Sequence, residues 1–156
     1  MEPNMGYFQG PWTHTTRNET ASLIRSLGWA PEKNKNTTYG QAIYLSREPW
    51  GTDFLTTKED VLSKGNTILY CNLSAKTSET QTNFGVKNDQ NDFICYLKEK
   101  GIPASRTPNN AMSDKNLAIK HFFLTRGIKA VGFKEHDKDI VAVYDPIIIQ
   151  IINCEK

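Results

Sequence analysis

The sequence predicts a single α+β domain spanning residues 1–156, with helices early and in the middle and an antiparallel sheet dominating the end. Three observations carry this. The C-terminal stretch is strand-dense: Lys129–Phe133, Ile140–Tyr144 and Ile147–Ile152 are rich in β-branched and aromatic residues. Upstream, segments with helical spacing of apolar residues each close on a glycine, at Gly28, Gly65, Gly101 and Gly127. No repeat or linker interrupts the 156 residues, and their 38% hydrophobic content can fill one core without disulfide staples.

In chain order, Thr16-Arg17-Asn18-Glu19 reads as a capping box ahead of Ala21, Leu23, Ile24 and Leu27, which places a short amphipathic helix directly after His14. Trp29–Tyr39, dominated by Asn, Lys, Thr and Pro, reads as a loop, and Ala42–Ser46 as a strand. Thr57-Lys58-Glu59-Asp60 opens a second helix carrying Val61 and Leu62. Asn66–Leu73 alternates as a strand, and the polar run Ser74–Lys87 reads as a long surface loop. Asp89–Lys100 is predicted helical with Phe93, Ile94 and Leu97 on one face. After the Pro103–Met112 loop, Ser113 caps a helix to about Arg126. Glu135–Lys138 reads as a hairpin turn, and Pro146 as a break within what is otherwise one bent strand.

Composition removes several function classes. A net charge of +2, from 19 basic and 17 acidic residues without a basic cluster, gives no electrostatic footprint for nucleic acid. Cys71, Cys95 and Cys154 form no Cys-x-x-Cys, no His pair has ligand spacing, and no metal is expected. Met1–Trp12 lacks the basic and apolar regions of a signal peptide, and no apolar run is long enough for a bilayer. The Asn-x-Ser/Thr triplets at Asn18, Asn36 and Asn72 therefore carry no weight. The expected location is the cytoplasm, of the chain's own cell or of a host cell entered without a cleaved signal. No membrane partner is expected.

Three motifs stand in order along the chain: Trp12-Thr13-His14-Thr15-Thr16, Gly40-Gln41-Ala42-Ile43-Tyr44-Leu45-Ser46, and Asp139-Ile140-Val141-Ala142-Val143-Tyr144-Asp145-Pro146. A strand-end His and a lone Tyr are each, taken alone, ordinary structural residues. Their order and spacing, 30 residues from His14 to Tyr44 and about 95 more to the last motif, point to a nucleotide pocket assembled from separated strands.

This arrangement resembles the ADP-ribosyltransferase fold, in the His-Tyr-Glu branch that includes diphtheria-toxin-like enzymes and the ADP-ribose polymerases. The resemblance runs from His14 to about Ile152. Its first motif is His-Gly-Thr or His-x-Thr, here His14-Thr15-Thr16; its second is Gly-x-Gly-Ile-Tyr-Phe-Ala/Ser, here Gly40 to Ser46. It implies a single domain of split antiparallel β-sheets with short flanking helices. It also implies NAD as substrate and mono-ADP-ribosylation of a macromolecule, protein rather than nucleic acid, as a small phage- or bacterial-type effector or toxin. In that frame His14 would hydrogen-bond the nicotinamide-side ribose, the backbone of Thr15 would read the nicotinamide amide, and Tyr44 would stack on its ring. Thr16 and Ser46 would complete the walls. Thr52 would take the place of an amide-binding Ser, and Phe54 that of the second stacking ring.

The third position departs from the pattern. Four residues before Tyr144 stands Ile140 where the family has Glu, and Thr15 and Ala42 replace glycines. A carboxylate there would stabilise the oxocarbenium-like sugar and activate the acceptor. Three options follow: Ile140 with a carboxylate supplied by the substrate, Asp139 or Glu135 as the carboxylate, or a pocket that binds without turnover. NAD glycohydrolysis is the variant with water as acceptor. A nuclease pairing His14 or His136 with Lys134 has nothing to bring its residues together.

Overall fold

The computed structural model describes residues 5–33, 39–48, 57–82, 87–101, 114–135 and 137–156, with side chains except at Met5 and residues 87–93. In chain order the elements are helix α1 (Met5–Phe8), strand β1 (Trp12–Arg17), α2 (Asn18–Leu27), β2 (Ile43–Ser46), α3 (Lys58–Ser63), β3 (Asn66–Leu73), β4 (Thr80–Thr82), α4 (Lys87–Lys100), α5 (Asp114–Thr125), β5 (Ala130–Glu135), β6 (Lys138–Val143) and β7 (Ile149–Glu155). Short 3-10 turns lie at Pro31–Lys33, Thr77–Glu79 and Pro146–Ile148.

The strands form one seven-stranded sheet in the order β4-β5-β6-β2-β1-β3-β7. Every pairing is antiparallel except β4 with β5. The expected split into two sheets is thus corrected to one sheet, but with a seam. β1 and β3 pair along six positions, whereas β1 and β2 share the single pair Thr13↔Ser46. Beyond it, toward Arg17 and Ile43, the two blocks diverge.

Side-chain alternation gives the sheet two apolar faces. One buries Ala42, Tyr44, Val131, Phe133, Ile140, Ala142 and Tyr144 against Leu97 of α4 and Phe122 and Phe123 of α5. The Phe123 ring stacks on Tyr144 at 5.2 Å. The other face buries Trp12, Ile43, Leu45, Leu69, Val141 and Val143 under Phe8 of α1 and Ala21 and Ile24 of α2. Tyr7 reaches over this second face: its ring lies so close to Gly132 that a Cβ there would stand 2.3 Å from it, and its hydroxyl contacts the carbonyls of Phe133 and Ile140 at 2.6 and 3.0 Å.

Several sequence expectations change. The capping box at Thr16–Glu19 does not form, because β1 continues through Thr16 and Arg17 to pair with Thr67 and Asn66, and α2 starts at Asn18 with no side-chain cap. Ladder hydrogen bonds along a whole strand outweigh one cap worth about 1 kcal/mol. On α2, Leu23 and Leu27 are exposed, at 54% and 81%, rather than facing the core. The Ser74–Lys87 loop contains β4, and the last two strands are not one bent strand. After Asp145, whose carboxylate accepts from the Ile147 N–H, the chain crosses to the opposite edge of the sheet to pair β7 with β3. On α4, Leu97 is buried but Ile94 is 43% exposed. By contrast β3 has the expected bounds, and the Thr57 hydroxyl accepts from the Asp60 N–H to cap α3. Gly28, Gly65, Gly101 and Gly127 all take positive φ. Ser113 and the Pro103–Met112 loop lie outside the described residues.

Candidate functional site

The seam decides which predicted residues meet. His14 is the first β1 residue past the single bridge, and its Nδ1 lies 3.0 Å from the Tyr44 carbonyl oxygen. A carbonyl only accepts, so Nδ1 carries the proton and donates. This bond replaces the ladder contact that the diverging strands no longer make. Burial pushes the His14 pKa below the ordinary 6.5, against the smaller opposite effect of the Tyr44 carbonyl. The ring is therefore neutral near pH 7, with Nε2 a bare acceptor. The Trp29 ring meets it edge-on, with centroids 5.1 Å apart.

His14 opens onto a groove of about 470 Å³ between β1, α2 and the turn after α2. Thr15, Thr16 and Ile43 line its floor, Leu23, Leu27 and Trp29 its apolar wall, and Arg17 and Lys33 supply cations. The exposed leucines of α2 thus have a place: they are the wall of this groove rather than core. The sequence marked them apolar and helical, and Trp29 as an aromatic in a polar loop, without marking either as site residues.

Tyr44 joins His14 through its main chain alone. Its ring points to the other face, 8% exposed, edge-on to Phe133 at 6.3 Å. Its hydroxyl donates to the Gly40 carbonyl at 2.7 Å and accepts from the Tyr39 N–H at 2.8 Å. The ring expected to stack on a nicotinamide is packed in the core, where it closes the Tyr39–Tyr44 turn. Burial, foremost, raises its phenol pKa.

Ser46 sits at the bridge. The Thr13 hydroxyl lies 2.9 Å from the Ser46 carbonyl and 2.9 Å from that of Glu48, and the Ser46 hydroxyl donates to the Glu48 carbonyl at 2.7 Å. Ile140 is the cross-strand partner of Ser46, on the same face as Tyr44 and 4% exposed. Asp139 is on the opposite face, 3.3 Å from Lys134 and close enough to Tyr7 and Arg47 to bias both. The register Lys134↔Asp139 and Phe133↔Ile140 thus removes Asp139 from the Tyr44–Ser46–Ile140 row and leaves Glu135 on it, opposite Lys138. Thr52, Phe54 and His136 lie outside the described residues. Among the described residues no group of His, Cys, Asp and Glu is placed to hold a metal, and no helix is long and apolar enough to cross a membrane. Burial pushes the Cys71 thiol up to about 12, so it stays protonated near neutrality.

Comparison with protein-family models, curated protein sequences and solved structures returned no match.

The buried neutral imidazole fixes a pH dependence. Its folded pKa lies below 6.5, so as pH falls through 6.5 the unfolded chain takes up a proton that the folded chain refuses. Stability is unpenalised above that value and is lost below it. Thermal unfolding followed from about pH 7.5 to 5.5 should show a steeper loss in the wild type than in His14→Gln, and equal slopes would contradict this assignment.

Proposed function

We propose that the chain binds NAD at the seam between β1 and β2 and transfers its ADP-ribose to a macromolecular acceptor, a protein rather than a nucleic acid, releasing nicotinamide. The observation that carries this is His14. A neutral imidazole, its tautomer fixed by the Tyr44 carbonyl, lines the groove with Nε2 left as an acceptor. A ribose hydroxyl is the donor such a group suits. The apolar wall of Leu23, Leu27 and Trp29 suits a planar base, and Arg17 and Lys33 suit phosphates. The ordered motifs of His14, Tyr44 and the β6 strand support the same reading.

A second reading, binding without turnover, is favoured by two details: Ile140 brings no charge to the third position, and the Tyr44 hydroxyl is fully engaged within the chain. A third keeps the cleavage and makes water the acceptor. Incubation with NAD labelled in the adenosine half, in the presence of cell extract, separates them. Transfer predicts label on macromolecules with stoichiometric nicotinamide, and hydrolysis predicts free ADP-ribose. Bound NAD with neither product supports the binding module.

A further inference from the structure

The groove beside His14 carries charge of one sign only. Arg17, at the end of β1, and Lys33, in the 3-10 turn after α2, are the ionised side chains that line it, and among the described residues no Asp or Glu does so. Neither cation is committed elsewhere. The ion pairs among the described residues engage Lys58, Lys129, Lys134 and Lys138, and Arg17 and Lys33 join none of them. The other polar side chains of the lining, His14, Thr15, Thr16 and Thr20, bring no charge, because burial keeps the His14 imidazole neutral near pH 7. Glu19 and Glu32, the acids closest in sequence, stand exposed outside the lining.

Nicotinamide dinucleotides differ at one point that such a groove can read. NAD has a free 2′-hydroxyl on its adenosine ribose, and NADP carries a phosphate there, close to doubly charged near neutrality. A site restricted to NAD holds that hydroxyl on a carboxylate, which also repels the phosphate, whereas a site open to NADP meets the phosphate with a cation. We propose that the groove takes the 2′-phosphorylated dinucleotide, NADP, in preference to NAD, an inference that rests on the NAD reading above. Two unpaired cations attract the added phosphate, and no acid in the lining opposes it. Both cations are exposed, and salt screens exposed charges, so the preference belongs to low ionic strength and shrinks as salt rises.

Calorimetric titration of the full chain with NAD and with NADP, at about 0.02 M and about 0.3 M salt, tests this. At the lower salt NADP should bind about 3–30-fold more tightly than NAD, a range between the worth of an exposed ion pair and that of a charge-assisted hydrogen bond. At the higher salt the ratio should fall. The double variant Arg17→Gln/Lys33→Gln, altered at two exposed positions, should lose most of the low-salt preference. NADP bound no more tightly than NAD at low salt would overturn the inference and leave the NAD reading standing. A preference that persists in full in the double variant, or at the higher salt, would overturn its assignment to these two cations. A wild type that binds neither dinucleotide overturns the NAD reading itself, and this inference with it.

Discussion

Replacing Gly40 with alanine is expected to destabilise the fold by about 2–5 kcal/mol, the sum of a left-handed backbone cost and overpacking. Gly40 has φ +86°, and a Cβ on it would stand 2.6 Å from the Ile119 Cβ and 2.8 Å from the Asn116 carbonyl oxygen of α5. Neither neighbour can give way cheaply. The Asn116 carbonyl accepts from the Gln41 N–H at 3.1 Å, Lys120 donates to the Gln41 side chain at 2.9 Å, and the Gly40 carbonyl holds the Tyr44 hydroxyl. The turn that sets Tyr44 and the helix that covers it are therefore locked at one glycine. For a chain of this size the loss amounts to roughly 5–20 °C in the unfolding midpoint. A midpoint within about 2 °C of wild type, less than 1 kcal/mol by the same conversion, would contradict this account of the turn.

His14→Ala is expected to weaken NAD binding by about 10–100-fold, the value of one or two hydrogen bonds at a desolvated site. It removes the Nε2 acceptor from the groove and leaves the Tyr44 carbonyl without its donor. Those two effects separate. Stability reports the carbonyl, because a part-buried acceptor without a partner costs about 1–3 kcal/mol. Affinity reports the groove. His14→Asn, tested beside it, offers a shorter donor to the same carbonyl, so it should recover stability more than affinity. Equal NAD affinity in wild type and His14→Ala would remove His14 from the site.

Local signals in the sequence were read well where local physics decides the outcome. Glycine ends helices because it alone accepts positive φ cheaply, and Gly28, Gly65, Gly101 and Gly127 were legible for that reason. Thr57 before Lys58-Glu59-Asp60 was legible as a helix start because its bond to the Asp60 N–H is made within a single turn. Thr16 looked like a cap too, but the ladder with β3 claims it, and only tertiary pairing reveals that. β4 is three residues of Thr and Gln that pair parallel to β5, so no pattern of their own declares them a strand.

The site was legible in part. His14 and Tyr44 could be matched as motif residues, and they do meet, but through a backbone carbonyl rather than through both side chains. Which carboxylate shares the row with Ile140 depends on hairpin register, where one step exchanges the faces. The register puts Asp139 beside Lys134 on one face and Glu135 on the other, and each keeps one buried carboxylate oxygen, Oδ1 and Oε2, without a hydrogen-bond partner among the described residues. The groove wall was the least legible. Leu23 and Leu27 fit a buried helical face by spacing, whereas the structure leaves them exposed along the groove, and only the assembled fold reveals that.

The central claim is that NAD occupies the seam. Titrating isotope-labelled protein with NAD while recording backbone amide spectra tests it most directly. The account predicts saturable shifts concentrated at His14–Arg17, Trp29 and Tyr44–Ser46, reduced in His14→Ala. Unchanged spectra at millimolar NAD, or shifts confined to the groove between α4 and α5 lined by Tyr96, Lys100 and His121, would contradict it.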